Sequence, residues 1–276
     1  MHNQQDLEAR FLLLRPKIIE AGILVKSIRD RGAMLTEIKD DGSYVTNADK
    51  QANEFLSHFL SKEFHGDYIL GEESIEKESP EGHKYSWFID PIDGTTSYVE
   101  GSDDYYILIG LCIDGVPVLG VHYQPETGIM IYAFTGKHPH IIKPRQKAIP
   151  IQFRKVFWDA SPRIFIKSKD AYIRDQVKAT GVKRATYAKG MVDMISPLFG
   201  KAEGYVSYRP THYWDLAAPA AIMHAAGFKL PFNDASETNG KMTDSSLRAS
   251  FYFSLPPDTP DSFIKKIEAI HSQRLI

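Results

Sequence analysis

A chain of 276 residues with 43% apolar and 25% charged side chains can bury a substantial core and has the balance of an ordinary globular protein. Its 33 basic and 35 acidic residues leave a formal charge of −2, with no basic excess to grip a polyanion, so a nucleic-acid partner is not expected. The only cysteine, Cys112, excludes an internal disulfide; its apolar surroundings predict a buried, inert thiol and fit a reducing, cytoplasmic compartment.

The opening residues, MHNQQDLEAR, lack the basic start and apolar core of a secretory signal. Apolar residues then recur at helical spacing through Leu7, Phe11, Leu14, Ile18 and Val25. Arg15, Lys17 and Glu20 interrupt the run, which is too short and too charged to span a membrane. Pro16 predicts a kink or a break between two helical pieces. A second amphipathic helix is expected over about 46–63, carrying Ala52, Phe55, Leu56, Phe59 and Leu60. Two short apolar strands follow, near 68–70 and 87–89, each running straight into carboxylates. Segments 105–113, 116–123, 129–134 and 140–143 are separated by the turn signals DG, QPETG and TGKHP, which predicts an antiparallel meander with a tight hairpin at Asp114 and Gly115.

The second half alternates. Strands are expected near 163–167, 203–208 and 251–254, and helices ending near Val177 and over about 191–199, 214–226 and 261–273. Helices alternating with a large, partly antiparallel sheet predict a layered mixed α/β fold. No repeat or low-complexity tract interrupts it.

The chemistry gathers at the strand ends. Asp90 and Asp93 flank Pro91, which stiffens the turn, and the Ile92 carbonyl between them can face the same point. Gly94 lets a ligand approach the main chain, while Thr95 and Thr96 offer hydroxyls where a helix can begin. Oxygen donors without cysteine or paired histidines suit a hard cation such as Mg2+ better than zinc, and His138, His140 and His212 have no spacing that suggests a zinc site. A divalent cation is also the simplest neutraliser of such crowded acids. The helix start after Gly94 would favour an anion, and phosphate is the natural anion beside Mg2+. Taken singly, Asp49 reads equally well as a first-turn helix acid and Asp215 as a cap on the helix after Trp214; only the combination favours ligand roles. Glu76, Glu78 and Glu81, like Lys143, Arg145 and Lys147, read as solvated loops.

Three separated motifs, GEE at 71–73, DPIDGTTSY at 90–98 and WDLAA at 214–218, together resemble the inositol monophosphatase superfamily of metal-dependent phosphomonoesterases. A fourth, DGSYVTNAD at 41–49, looks like that family's mobile loop leading into a helix. The resemblance spans nearly the whole chain. It implies a layered α-β-α-β-α fold of the sugar-phosphatase kind with two closely packed subdomains, about 1–150 carrying most of the metal site and about 151–276 completing it. It implies two or three Mg2+ ions held by Glu72, Asp90, the Ile92 carbonyl, Asp93 and Asp215, with Asp90 bridging two of them. Glu73 would sit in the outer sphere or hold a coordinated water. Asp49 and Thr95 would together activate the attacking water, while Gly94, Thr95 and Thr96 would meet the phosphate. A small phosphorylated metabolite is the implied partner, with no membrane, and a homodimer is a possible assembly.

Departures from the family pattern bear on the substrate. Ser97 stands where asparagine is usual; Ala188, Lys189 and Gly190 stand near a usual Gly-Ser pair, leaving Lys189 either on a phosphate or in solvent. Pro219 replaces a glycine, which a helix tolerates in its first turn. Tyr208 stands where inositol phosphatases carry a glutamate that binds hydroxyls. Pro210 and Thr211 match a PTxxWD pattern closer to the bisphosphate nucleotidase branch. Tyr208 could then offer a ring face to adenine and Arg209 a forked donor set to a second phosphate, although both could simply finish a strand. The expected activity is a 3'(2'),5'-bisphosphate nucleotidase, with inositol-1-monophosphatase, fructose-1,6-bisphosphatase and a degenerate phospholigand-binding relative as alternatives.

Overall fold

The structure, a computed structural model, describes residues 3–75, 77–152, 158, 161–185, 193–231, 241–243 and 247–274. Helix α1 (Gln4–Asp30) opens with Asn3, whose side chain accepts from the Gln5 amide. It runs unbroken for 27 residues, so the expected break at Pro16 does not occur. Leu7, Phe11, Leu14, Ile18 and Ala21 form one buried stripe, and Phe11 stacks on Tyr132 of the sheet beneath at 3.9 Å. Burying such side chains contributes about 1.5–3 kcal/mol each, which outweighs the roughly 3 kcal/mol cost of an internal proline.

Strands β1 (Thr36–Ile38) and β2 (Tyr44–Thr46) pair as a hairpin and lead into α2 (Asn47–Glu63). The seven-stranded sheet follows: β3 (Tyr68–Gly71), β4 (Tyr85–Asp93), β5 (Tyr106–Ile113), β6 (Val116–Gln124), β7 (Ile129–Phe134), β8 (Lys137–Ile142) and β9 (Ile149–Pro150) lie side by side in chain order. Only β3 and β4 are parallel; the rest form the expected meander. Asp114 and Gly115 take φ of 52° and 80°, the mirror-image turn that matches strand twist. A short helix, α3 (Thr95–Val99), interrupts the sheet between β4 and β5, and the Tyr98 hydroxyl ties it to α1 by donating to the Val25 carbonyl.

The second sheet has the order β11 (Lys183–Arg184), β10 (Arg163–Lys167), β12 (Gly204–Ser207), β15 (Tyr252–Ser254). Its first three strands are parallel and β15 is antiparallel. Helix α4 (Ala171–Ala179) follows β10, α5 (Tyr213–Ala225) follows the bridge-like β13 (Thr211–His212), which pairs with β14 (Arg248–Ala249), and α6 (Asp261–Arg274) closes the chain. The helix expected over 191–199 is a 3-10 helix at Asp193–Phe199; Pro197 has no amide to bond the Asp193 carbonyl, so an α-helical turn cannot persist there.

These elements stack in five layers. Helices α1 and α2 cover one face of the large sheet, where Leu56 and Leu60 meet Trp87, Ile89 and Val121. Helix α5 and the 3-10 helix fill the middle, where Trp214, Leu216 and Ala217 pack between Phe88 and Cys112 of one sheet and Tyr205 and Tyr252 of the other. Helices α4 and α6 cover the outer face of the small sheet through Ile173, Val177, Phe263 and Ile267. Cys112 is buried and burial pushes its thiol pKa up, as an inert core thiol requires. Among the described residues no helix is long and apolar enough to cross a membrane.

Close approach fixes the middle layer. A Cβ at Gly120 would stand 2.2 Å from the Ala218 carbonyl oxygen, so α5 can lie on β6 only because that residue is glycine. Pro219 falls beyond the first turn of α5, where it cannot donate to the Asp215 carbonyl, yet the helix continues through it.

Candidate active site

Four chain reversals meet at one edge of the large sheet. Strands β3 and β4 run in parallel register, Gly71 against Ile89, so Glu72 and Glu73 leave the sheet beside Asp90; the Glu72 amide donates to the Ile89 carbonyl at 2.9 Å. Past Asp90 the pairing of β4 with β5 shifts register, the local irregularity that turns Asp93 and Thr95 towards the same edge. Gly94 takes φ 92° and caps α3, and a Cβ there would approach the Asp104 carbonyl oxygen to 2.9 Å, so the turn requires glycine. Helix α5 brings Asp215 in its first turn and α2 brings Asp49 in its own.

Asp49 is 2% exposed. One carboxylate oxygen, Oδ2, accepts from the Thr46 amide at 2.8 Å and the Thr46 hydroxyl at 2.5 Å, closing a capping box. The other, Oδ1, lies 3.2 Å from the Thr95 hydroxyl, which also sits 3.0 Å from the Ile92 carbonyl. Burial, opposed by the Thr46 bonds and assisted by the charges of Glu73 and Glu72, raises the Asp49 pKa to about 6. The helix-stabilising and the site-facing readings of this residue therefore coexist, one on each oxygen.

Asp90, also 2% exposed, accepts from the Ile92 amide at 3.0 Å. Burial first, then the charges of Glu72, Asp93 and Asp215, lift its pKa well above the carboxylate range. Asp215 shares a hydrogen bond with it; burial and Glu72 push Asp215 up to about 6, while Asp90 and the nearby Lys167 pull the other way. Buried acids this close hold protons in common unless a cation offsets their charge.

The structure supplies part of that charge from a residue the sequence reading passed over. Lys39, between β1 and β2, places its Nζ 2.7 Å from Glu72 and in contact with Glu73. Burial alone would lower the ammonium pKa, yet its bonds to Glu72 and Glu73 hold it above the ordinary value. The acids are gathered but not aimed at one point: among the described residues no three His, Cys, Asp or Glu side chains stand ready to hold a metal ion. The donor chemistry nonetheless fits a hard cation, since Glu72, Asp90, Asp93, Asp215 and the Ile92 carbonyl offer only oxygen. Admitting one requires Lys39 to withdraw and the carboxylates to turn.

The rim is aromatic and basic. His212 stacks on Trp214 at 4.1 Å, Lys77 lies over the Trp214 ring at 4.5 Å, and burial with the charges of Arg248 and Lys77 lowers the His212 pKa to about 4. Gly94 and Thr96 are exposed at the mouth. Lys189 lies outside the described residues. Tyr208 cannot offer a ring face to a base: it is 0% exposed, packs on Phe251, and donates its hydroxyl to the Ile267 carbonyl of α6, so it belongs to the core of the small sheet. Arg209, the next residue, is exposed. Both follow the last residue of β12: the Tyr208 amide still donates to the Lys167 carbonyl at 2.9 Å, and Arg209 then leaves the sheet.

Comparison with known proteins places the chain in a family. The profile of the inositol monophosphatase family matches residues 17–264. The chain is 29% identical over 217 residues to a 3'(2'),5'-bisphosphate nucleotidase CysQ of Salmonella typhimurium, covering 77% of this chain and 84% of that one. It is 28% identical over 215 residues to a histidinol-phosphatase of Chlorobaculum parvum, covering 75% and 80%. Among solved structures, an IMPase/NADP phosphatase complexed with Mg2+ and phosphate superposes with TM-score 0.72 at 20% identity, covering 96% of this chain and 97% of that one.

Proposed function

The chain belongs to the inositol monophosphatase family, whose members hydrolyse phosphomonoesters, and from that premise we propose a Mg2+-dependent phosphatase whose site is the acidic cluster at the edge of β3 and β4. The observation that carries this reading is the buried Asp90, crowded by Glu72, Asp93 and Asp215 with Lys39 as the neighbouring cation. Glu72, Asp90, Asp93, Asp215 and the Ile92 carbonyl would hold magnesium, with Glu73 beside them. Bound there, magnesium supplies the positive charge that acidifies a water and offsets the charge of the departing alkoxide.

The protein's own groups position and move the proton. The Ile92 carbonyl and Asp49 Oδ1 both lie within hydrogen-bond reach of the Thr95 hydroxyl and fix its direction. A water accepting position beside Thr95 Oγ1 would lose its proton to Asp49 through that hydroxyl. A pKa near 6 suits the task, since a base works best when its pKa lies near the operating pH. Gly94 and Thr96, exposed where α3 begins, bound the space left for the phosphate. Phosphoryl transfer asks mainly for positioning and charge neutralisation, and both are concentrated here.

For the substrate we favour a 3'(2'),5'-bisphosphate nucleotide over inositol 1-phosphate, fructose 1,6-bisphosphate or histidinol phosphate. Arg209 is exposed where the chain leaves β12 towards Asp215, placed to meet a second phosphate. The test is catalytic efficiency on adenosine 3',5'-bisphosphate, inositol 1-phosphate, fructose 1,6-bisphosphate and histidinol phosphate at one Mg2+ concentration. The nucleotide should lead; a lead by inositol 1-phosphate or histidinol phosphate would overturn the substrate while leaving the phosphatase reading intact.

A further inference from the structure

Thr95 stands on a helix too short to hold its own direction. Helix α3 has five residues, and an isolated helix of that length does not persist in water. Tyr98 follows Thr95 by three residues, close to one helical turn, so the two side chains are neighbours on the surface of α3. The Tyr98 ring is fully buried in one apolar cluster with Ala48 and Ala52 of α2, Ile92 of β4, Val25 of α1 and Tyr105. Ala48 precedes Asp49, and Ile92 supplies the carbonyl that meets the Thr95 hydroxyl. The cluster therefore gathers the segments that set the distance between Thr95 and Asp49. The Tyr98 hydroxyl fastens it to α1 through the Val25 carbonyl at 2.8 Å.

An ion network that the acidic site does not use closes this cluster. Arg29, in the last turn of α1, lies over both rings, its guanidinium carbon 5.2 Å from the centre of Tyr98 and 4.9 Å from that of Tyr105. The rings themselves meet edge to face at 5.0 Å. Glu126, in the turn after β6, holds the guanidinium at 2.6 Å, accepts from the Tyr105 hydroxyl at 2.8 Å and contacts the Lys26 ammonium. Burial would raise the Glu126 carboxyl, yet bonds from Lys26 and Tyr105 and the charge of Arg29 hold its pKa below the ordinary value. Arg29 also donates to the Ser102 carbonyl at 2.8 Å, in the segment joining α3 to β5. A planar guanidinium can do all of this at once, stacking through its face and bonding through its edge.

We propose that Tyr98, Arg29 and Glu126 are positioning residues for hydrolysis. Glu126 fixes the guanidinium, the guanidinium clamps the pair of tyrosine rings, and Tyr98 fixes the one-turn helix that aims the Thr95 hydroxyl at Asp49 Oδ1. All three act through Thr95. The 3.2 Å between that hydroxyl and Asp49 is already at the far end of hydrogen-bond reach, so a small rotation of α3 breaks the contact. Loosening the clamp therefore slows the proton transfer more than it weakens substrate binding. The role in catalysis rests on the phosphatase reading, whereas the clamp on α3 is a separate claim about the fold.

The test uses the full chain, as wild type, as Tyr98→Phe, which keeps the ring and removes its bond to Val25, and as Glu126→Gln, which keeps the shape and removes the charge. Thermal melts check that each variant folds. Amide hydrogen exchange in EDTA reads the clamp without any turnover. The Tyr98 amide, bonded to the Gly94 carbonyl at 3.0 Å, and the Glu100 amide, bonded to the Thr96 carbonyl at 3.0 Å, should exchange about tenfold faster in both variants, with β5 amides unchanged. At saturating Mg2+, kcat on 4-nitrophenyl phosphate should fall at least about tenfold while KM changes less than about threefold. Unchanged exchange in both variants, or faster exchange with wild-type kcat, would overturn the proposal. No phosphate release by the wild type would sink the phosphatase reading, and the exchange rates alone would then decide the clamp.

Discussion

The Thr95 hydroxyl lies 3.2 Å from Asp49 Oδ1, joining two residues 46 positions apart at the first turns of two helices. The opposite oxygen of Asp49 is committed to Thr46, so the carboxylate is locked in place by the helix it caps and can accept on one side only. In the proposed mechanism that lock would make Asp49 a positioned base.

Replacing Asp49 with Asn keeps the shape and removes the proton acceptor. Turnover should fall about 10²- to 10⁴-fold, the usual contribution of a general base, while the Mg2+ concentration giving half-maximal activity changes little. Titrating Mg2+ against phosphate release measures both. Unchanged turnover with collapsed metal dependence would assign Asp49 to the metal instead.

Lys39 should compete with the metal. Its ammonium holds Glu72 and Glu73, so Lys39→Met should tighten apparent Mg2+ affinity severalfold and lower the melting temperature measured in EDTA, where the two glutamates lose their partner. Calorimetric Mg2+ titration together with thermal melts decides this; weaker Mg2+ binding in the variant would show that Lys39 supports the site.

The raised carboxylates fix the sign of a pH effect. In the unfolded chain such groups release their protons near 3.8, whereas Asp49 and Asp215 hold theirs to about 6 when folded without metal. Between those values the folded state binds more protons, so raising the pH costs it stability, on the order of a few kcal/mol in total. Denaturant midpoints in EDTA should fall from about pH 4 to about pH 6 relative to those in saturating Mg2+. Parallel curves with and without metal would contradict the crowding of these acids.

Gly120→Ala tests how α5 is held. The added methyl would meet the Ala218 carbonyl, and overpacking of this kind costs about 1–3 kcal/mol. Because α5 carries Asp215, half-maximal activity should also require more Mg2+. A variant with wild-type stability and wild-type Mg2+ dependence would mean that α5 is not placed by this contact.

The sequence revealed the meander, the layered class and the acids at the strand ends, because each rests on local signals: alternation, a DG turn, carboxylates closing an apolar run. Where reading failed, distant atoms decided. Pro16 does not break α1 because the stripe from Leu7 to Ala21 is anchored on a sheet that lies far along the chain. Tyr208 points into the core because α6, at the far end of the chain, covers it. Lys39 lay in plain view before DGSYVTNAD, but nothing local ties it to Glu72 and Glu73. Arg29 meets Glu126 only because the end of α1 lies against the turn after β6, which no pattern in either segment announces.

Asp90 is the residue on which the proposed chemistry converges, and Asp90→Asn removes a charge and a ligand oxygen together. The most direct measurement is phosphate release from 4-nitrophenyl phosphate against Mg2+ concentration for wild type and this variant, with thermal melts in EDTA alongside. The wild type should release phosphate only when Mg2+ is present, and the variant should lose nearly all turnover while melting in EDTA no lower than the wild type, since burying that charge is unfavourable. Turnover in the variant equal to that of the wild type at the same Mg2+ would contradict the account.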